Sequence, residues 1–493
     1  MVPTETGVES PPTTPPSPAW QVWALVAAIL VLLAGSIISL RIGSGKSTDD
    51  ATRLYIDSMT QARQVYLLRH GLEGERPPTT SQQKTLVANM KRLADMTHSA
   101  RTIRRLALTE YLVGDPGWKS SFLLLRTAPH SGPAFDVERE LSMWRLALEE
   151  HPDLLQVPIL RSQIAALDLG WFRHIALEAM YQQAGMRDEA LVESQEAMSS
   201  STLVAVIVLF RILLELVGVG VGIALFLYLR WRKDNPDVLL PSPWQRILET
   251  TPVPPVSKER ADALYSIFVC YLISFAIVRF TIPWLMRMLI GGLLAKLGPA
   301  QSAMISLGLT LLSFVPPYFL YRRLKKRVGI SAADIGFRTR GIGGDILWGV
   351  AGYAVALSLV WYANVISTRL FHTLNTPLNP AITEFAASHN IIYQVTILTQ
   401  AAIIAPLMEE TLFRGVFFGA LTPRMGAVLA SLLTSAIFAL LHPQLPFGFL
   451  AIFVLGLVFS ALYRLRGSLL PNILAHAINN TVIFIMLSAV IGD

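Results

Sequence analysis

Charge is scarce in this 493-residue chain. Asp, Glu, Lys and Arg make up 15% of it and hydrophobic residues 53%, whereas an ordinary soluble domain carries about 25% charged residues. With a mean hydropathy of +0.48, a soluble globular protein is excluded. Cysteine is nearly absent: Cys270 stands alone, which rules out an intrachain disulfide and says little about compartment. No basic residue precedes the first apolar segment, Trp20–Leu40, and no convincing small-residue cleavage site follows it. A removable signal peptide is therefore not expected. The helical zinc-protease signature His-Glu-x-x-His is also missing.

Long apolar runs are what the chain has instead. A hydrocarbon core of about 30 Å needs about 20 helical residues. Runs of that kind fall at about 20–40, 203–229, 264–284, 302–321, 345–366, 391–412, 425–441, 447–463 and 470–490. The expected fold is an all-α, polytopic membrane bundle of about nine spans, with an extramembrane helical domain between spans one and two. The net charge of +7 comes from basic residues at membrane flanks, such as Arg230, Arg232 and Lys233 and the run Arg322, Arg323, Lys325, Lys326 and Arg327. These read as cytoplasmic topology signals rather than a nucleic-acid patch, so no nucleic-acid partner is expected.

Composition divides the chain further. Residues 1–19, rich in Pro, Thr and Ser, read as a disordered tail, and residues 20–40 as a retained transmembrane anchor. Residues 43–200 interleave Arg, Glu, Gln and Asp with Leu and Ala at helical spacing, the pattern of a water-facing α-helical domain. The stretch Ala176–Leu191, with Tyr181, Gly185, Ala190 and Ala197 suitably placed, resembles one tetratricopeptide unit. A repeat array needs about three, so an ordinary helical hairpin is the preferred reading. Residues 203–229 form the next span, 230–263 a proline-rich cytoplasmic linker, and 264–490 a separate membrane core. The basic flanks place residues 43–200 outside. Within 203–229, Arg211 and Glu215 stand four apart on one helical face, an internal ion pair.

The chemistry concentrates at Glu409-Glu410-Thr411-Leu412-Phe413-Arg414. Each ionisable side chain near the bilayer centre costs roughly 2.5–3.5 kcal/mol, so three unpaired ones would cost on the order of 8–10 kcal/mol. On a helix Glu410 and Arg414 are neighbours on one face while Glu409 points about 100° away. Arg414 thus holds Glu410 ionised, and Glu409 is free to act on a substrate or water. Pro406, one turn earlier, removes a backbone hydrogen bond and makes room for a kink or water. Downstream, Phe438-x-x-x-His442 closes one span and His476-x-x-x-Asn480 puts a histidine and an amide on one face of the last. Simple topology puts Glu409 towards the cytoplasmic end of its span and His442 towards the outer end of the next. A helix continuing through Gly415–Leu421 would bring Glu409 nearer mid-membrane.

Glu409-Glu410-x-x-x-Arg414, Phe438-x-x-x-His442 and His476-x-x-x-Asn480, in this order, resemble the intramembrane endopeptidases that include type II CAAX prenyl proteases and bacterial proteins of bacteriocin processing or self-immunity. The resemblance covers roughly residues 264–490. It implies a glutamate-activated water attacking a peptide carbonyl: Glu409 as general base, His442 positioning the water, His476 with Asn480 stabilising the oxyanion. The family is often classed as metalloprotease, and Glu409, Glu410, His442 and His476 are the candidate zinc ligands; the metal stays open.

The preferred function is an endopeptidase acting on a peptide or protein in or at a bilayer, in a bacterial cytoplasmic membrane. A silent immunity or binding protein on the same scaffold and a proton-coupled transporter are the alternatives. Residues 43–200 are expected to recruit a protein partner or substrate.

Overall fold

The computed structural model describes residues 25–27, 29, 46–70, 79–129, 136–238, 256–338, 341–371, 385, 388, 390–442 and 444–491. The expected tail and nearly all of the first anchor lie outside these residues, as does much of the linker. The described chain is helical and contains no strand.

The extramembrane domain is built from α1 (Lys46–His70), α2 (Thr80–Thr97), α3 (Ala100–Val113), α4 (Trp118–Leu123), α5 (Val137–Leu148), α6 (Val157–Ala165) and α7 (Phe172–Gln183). Side-chain caps fix the helix starts: Thr79 forms a capping box with Gln82, and Ser99 and Asp136 accept from the backbone of Thr102 and Arg139. The interior holds Tyr66, Met90, Trp144, Trp171 and Phe172, all at most 1% exposed. A buried Arg104–Glu140 pair, bidentate at 2.7 and 2.8 Å, is completed by Trp144 Nε1 donating to Glu140. Its charges are thereby satisfied inside an apolar core.

The domain runs into the membrane without a break, because α8 (Arg187–Asp234) is one helix of 48 residues. At 1.5 Å per residue it is about 72 Å long, more than twice a hydrocarbon core. Gly185, with φ 74°, makes the left-handed turn between α7 and α8, and Tyr181, Ala190 and Ala197 are buried. The tetratricopeptide-like stretch therefore folds as a helical hairpin. Arg211 Nε meets Glu215 Oε1 at 3.1 Å, as the i, i+4 spacing implied.

The membrane core follows: α9 (Lys258–Ala276) and α10 (Ile282–Leu294), α11 (Pro299–Leu312) and α12 (Val315–Val328), α13 (Ile342–Phe371), α14 (Ile391–Thr399), α15 (Ala405–Glu410), α16 (Gly419–Leu440), α17 (Phe449–Arg466) and α18 (Leu470–Ile491). Among the described residues seven helical stretches are long and apolar enough to cross a membrane, which does not confirm the count of nine. One expected span is the undescribed 20–40. The runs 391–412 and 425–441 belong to one helical stretch, Ile391–Leu440, whose 50 residues would measure about 75 Å if straight. It bends instead at Gly426 (φ 77°, ψ 161°), three residues after Pro423. Only a glycine takes that backbone conformation without strain.

Two close approaches fix the packing. A Cβ on Gly218 would lie 1.9 Å from the Ala354 carbonyl oxygen, so α8 crosses α13 with backbones nearly touching, as small residues permit in membranes. Asp345 at the start of α13 and Arg466 at the end of α17 form a second buried pair, at 3.0 and 2.8 Å. Gly218→Val should force α8 off α13 and lower the thermal stability of the detergent-solubilised protein by several degrees; an unchanged melting temperature would refute this crossing.

Candidate active site

The bend at Gly426 decides where the sequence motifs meet. Glu410 precedes it by 16 residues and His442 follows it by 16; Arg414 and Phe438 are each 12 away. A hairpin folded there brings these pairs to one height, and the Arg414 guanidinium lies over the Phe438 ring at 4.6 Å. The helix does continue through Gly415–Leu421. The expected mismatch in depth between Glu409 and His442 is thereby removed.

Glu410 and Arg414 are both fully buried, and Arg414 Nη1 donates to Glu410 Oε1 at 3.2 Å. Arg414 Nη2 donates to the Gly456 carbonyl at 3.1 Å. The guanidinium is enclosed by Phe438, Phe459 (5.3 Å) and Phe413 (5.9 Å), whose π faces supply attraction that water would otherwise provide. Gly456 is a glycine for a local reason: a Cβ there would meet Ser435 Cβ at 2.9 Å.

His476 on α18 completes the buried group. It is 4% exposed and stacks on Phe459 at 5.2 Å, and its Nδ1 lies 3.0 Å from Glu410 Oε1. A carboxylate ionised by Arg414 accepts, so Nδ1 carries the hydrogen. The opposite nitrogen, Nε2, faces Glu409 Oε2 at 4.0 Å. Glu409 has a side chain 28% exposed, against zero for Glu410. The division into a held acid and a free acid is thus present in the geometry.

His442 is half-buried; its ring sits edge-on to Phe438 at 4.6 Å, and Nδ1 is 2.7 Å from the Phe438 carbonyl oxygen. Carbonyls only accept, so Nδ1–H donates and Nε2 keeps a lone pair. The His476 ring abuts the same Phe438 at 6.2 Å. Asn480 lies on α18 one turn beyond His476 and donates from Nδ2 to the Ala401 carbonyl at 2.7 Å. The reason is upstream. Gln400–Ile404 is a π-helical turn in which Ala405 N–H reaches back five residues to Gln400. The next donor in that pattern would be residue 406, a proline without an N–H, and Asn480 fills the gap on Ala401. A second π-helical turn, Thr411–Phe418, carries Arg414.

The structure brings together Glu409, Glu410, Arg414 and His476, with His442 against the shared Phe438 and Asn480 on the same helix as His476. Sequence reasoning missed the aromatic cage beyond Phe438, because Phe413 and Phe459 look like any membrane-helix phenylalanine. It also missed Gly415, where a Cβ would lie 2.3 Å from the Ile335 carbonyl oxygen. A glycine directly after Arg414 was the available signal.

A metal could be held here only through Nε2 of His442, Nε2 of His476 and the Glu409 carboxylate, because Nδ1 of the two histidines donates to the Phe438 carbonyl and to Glu410. Among the described residues no three of His, Cys, Asp and Glu are grouped to hold an ion.

Residues 391–482 match the family model of the type II CAAX prenyl endopeptidase Rce1-like proteins. The chain is 31% identical over 146 residues to "Putative membrane peptidase YdiL" of Bacillus subtilis, covering 29% of this chain and 57% of that protein. It is 30% identical over 107 residues to "UPF0177 protein YxdF" of Lactococcus lactis, covering 21% and 59%. The chain thus spans less than two thirds of the length of either relative. No solved structure matches it significantly. The C-terminal part of this integral membrane protein carries an Rce1-like domain.

Breaking a buried pair leaves an uncompensated charge and costs about 3–5 kcal/mol. Arg414→Met should lower stability by that amount in mixed micelles, and Glu410→Leu combined with Arg414→Met should recover most of it. Equal losses in the single and double variants would show that the pair is not the source.

Proposed function

We propose that this protein is an intramembrane endopeptidase of bacterial cytoplasmic membranes that hydrolyses a peptide bond of a substrate held in or at the bilayer, using a water activated by Glu409. One observation carries the reading. Two adjacent acids face opposite fates: Glu410 is sealed between Arg414 and His476, while Glu409 is partly open and forms no hydrogen bond to a described residue. The match of residues 391–482 to the Rce1-like family supports it.

The chemistry follows from the donors and acceptors. Glu409 takes a proton from water as its oxygen attacks the peptide carbonyl, and returns it to the departing amine. His442, protonated on Nδ1, accepts the second water hydrogen at Nε2 and so aims the oxygen. The tetrahedral oxyanion needs donors. Asn480 has one amide hydrogen beyond the one given to Ala401, and His476 in its imidazolium form donates from both nitrogens. Removing one such donor typically costs about 10²–10³ in rate. Glu410 and Arg414 do not react; they hold His476 at its angle. No step of this proposal is routed through a metal.

The basic last turns of α8, α12 and α17 orient the protein with those ends in the cytoplasm. The extramembrane domain then stands outside.

In proteoliposomes with a peptide library, wild type should cleave, Glu409→Gln should lose at least about 10²-fold in kcat, and His442→Ala should fall by about 10²–10³. Identical cleavage profiles for wild type and Glu409→Gln would sink the peptidase reading. Proton or solute flux lost in Glu409→Gln, without peptide cleavage, would indicate transport instead. A metal chelator that leaves the rate within about twofold would place the reaction on these residues alone, whereas loss restored by added zinc would assign Nε2 of His442 and His476 and the Glu409 carboxylate as its ligands.

A further inference from the structure

The extramembrane domain touches the membrane core at a second place besides α8. Arg63, on α1, is 1% exposed, its guanidinium lies 5.5 Å from the Trp171 ring, and Nη1 donates to the carbonyl of Val490. Val490 is in the last turn of α18, the helix of His476 and Asn480. It packs into the interior of the extramembrane domain rather than into the membrane bundle, as does its neighbour Ala489. The last carbonyls of a helix lack partners within it and carry its negative end, so a buried guanidinium is suited to close it. Two turns before Arg63 on the same face of α1, Ile56 packs against the cluster that joins Phe484 and Leu487 of α18 to Tyr393 and Ile397 of α14. One helix of the outer domain therefore holds α18, which carries His476, and packs on the cluster that α18 shares with α14, the helix leading to Glu409.

We propose that Arg63 is a positioning residue: through Val490 it sets the height of α18 along its own axis, and so the register of His476 and Asn480 against Glu409, Glu410 and Ala401. This rests on the peptidase reading for its activity arm only. Val490 is 14 residues from His476, about 21 Å of continuous helix, and a helix transmits axial displacement with little loss. The bonds at stake are short, 3.0 Å from His476 to Glu410 and 2.7 Å from Asn480 to Ala401. An axial shift of about 1 Å tilts both off their donor–acceptor lines and lengthens them by up to that amount, which weakens them. The domain can serve as a fixed point because it is anchored independently, through α8 and its close crossing of α13 at Gly218. No described residue of the outer domain touches the reacting groups in this arrangement; its effect is on their geometry.

The test uses the full-length protein in liposomes, the library peptide that wild type cleaves fastest, and hydrogen exchange of the same samples. Arg63→Met should lower kcat about tenfold or more with KM within about twofold, and accelerate exchange in residues 476–490 while residues 80–113 keep their protection. Arg63→Lys, which still offers a cation to the Val490 carbonyl, should restore part of kcat. Leu155→Ala, on a residue 88% exposed in the same domain, should change neither. Unchanged kcat together with unchanged exchange along α18 in Arg63→Met overturns the proposal, as does an equal rise in exchange throughout the outer domain. Should Arg63→Met fail to fold, Ile56→Ala carries the same two readouts, with the same outcomes deciding. The exchange arm needs no peptidase activity. Cleavage unaffected by Glu409→Gln would remove the peptidase reading while leaving the link between Arg63 and α18 measurable.

Discussion

The ion pair between Arg414 and Glu410 is the constraint around which the core is arranged. Both side chains have lost all contact with solvent, and neither could remain charged there alone. Satisfying Arg414 requires the Gly456 carbonyl from α17 and ring faces from three elements. Satisfying Glu410 recruits His476 from α18. A close α16–α17 contact at Gly456, a hairpin folded at Gly426 and the orientation of α18 all follow from housing one charge pair. The same pair also makes His476 directional, because Nδ1 is spent on Glu410 and only Nε2 remains to face Glu409.

The polar members of this arrangement were legible in the sequence because charge in an apolar run is expensive and therefore conspicuous. Spacing alone separated Glu410 from Glu409, since i, i+4 neighbours share a face and adjacent residues do not. The hairpin was harder to read. Residues 413–421 are apolar enough to continue a span, and Pro423 and Gly426 could end a loop as well as bend a helix; only the tertiary contact of Arg414 with Phe438 chooses between them. The aromatic cage was invisible for the opposite reason: Phe459 differs from other membrane phenylalanines by its partner and not by its pattern. Asn480 shows a third case. Its residue type and its face on α18 were read correctly, yet its hydrogen bond to Ala401 depends on a π-helical turn whose missing donor is Pro406.

The domain built from α1 to α7 was legible as helical, from its interleaved charge and periodicity. Its union with the membrane core was not. Arg63 reads as one more surface arginine on an amphipathic helix, and Val490 as the end of an apolar run. Their contact joins residues separated by 427 positions, beyond the reach of any local pattern. The continuity of α8 was similarly hidden, because the change from charged to apolar composition near residue 203 suggests a boundary where the backbone has none.

A structural role for the polar cluster accounts for only part of it. Were the cluster there to tie helices together, Glu410, Arg414 and His476 would suffice: they link α15 to α18 and, through Gly456, to α17. Glu409 adds a second negative charge beside the first and gains no hydrogen bond from a described residue in return. Placed in a membrane helix, such a carboxylate costs stability unless something else occupies the space in front of it. That space is bounded by His476 Nε2 at 4.0 Å, and His442 abuts the same Phe438 ring as His476. An acid that the fold does not need, opposite a histidine oriented by an acid that it does need, is the arrangement on which the proposed role of Glu409 as general base rests.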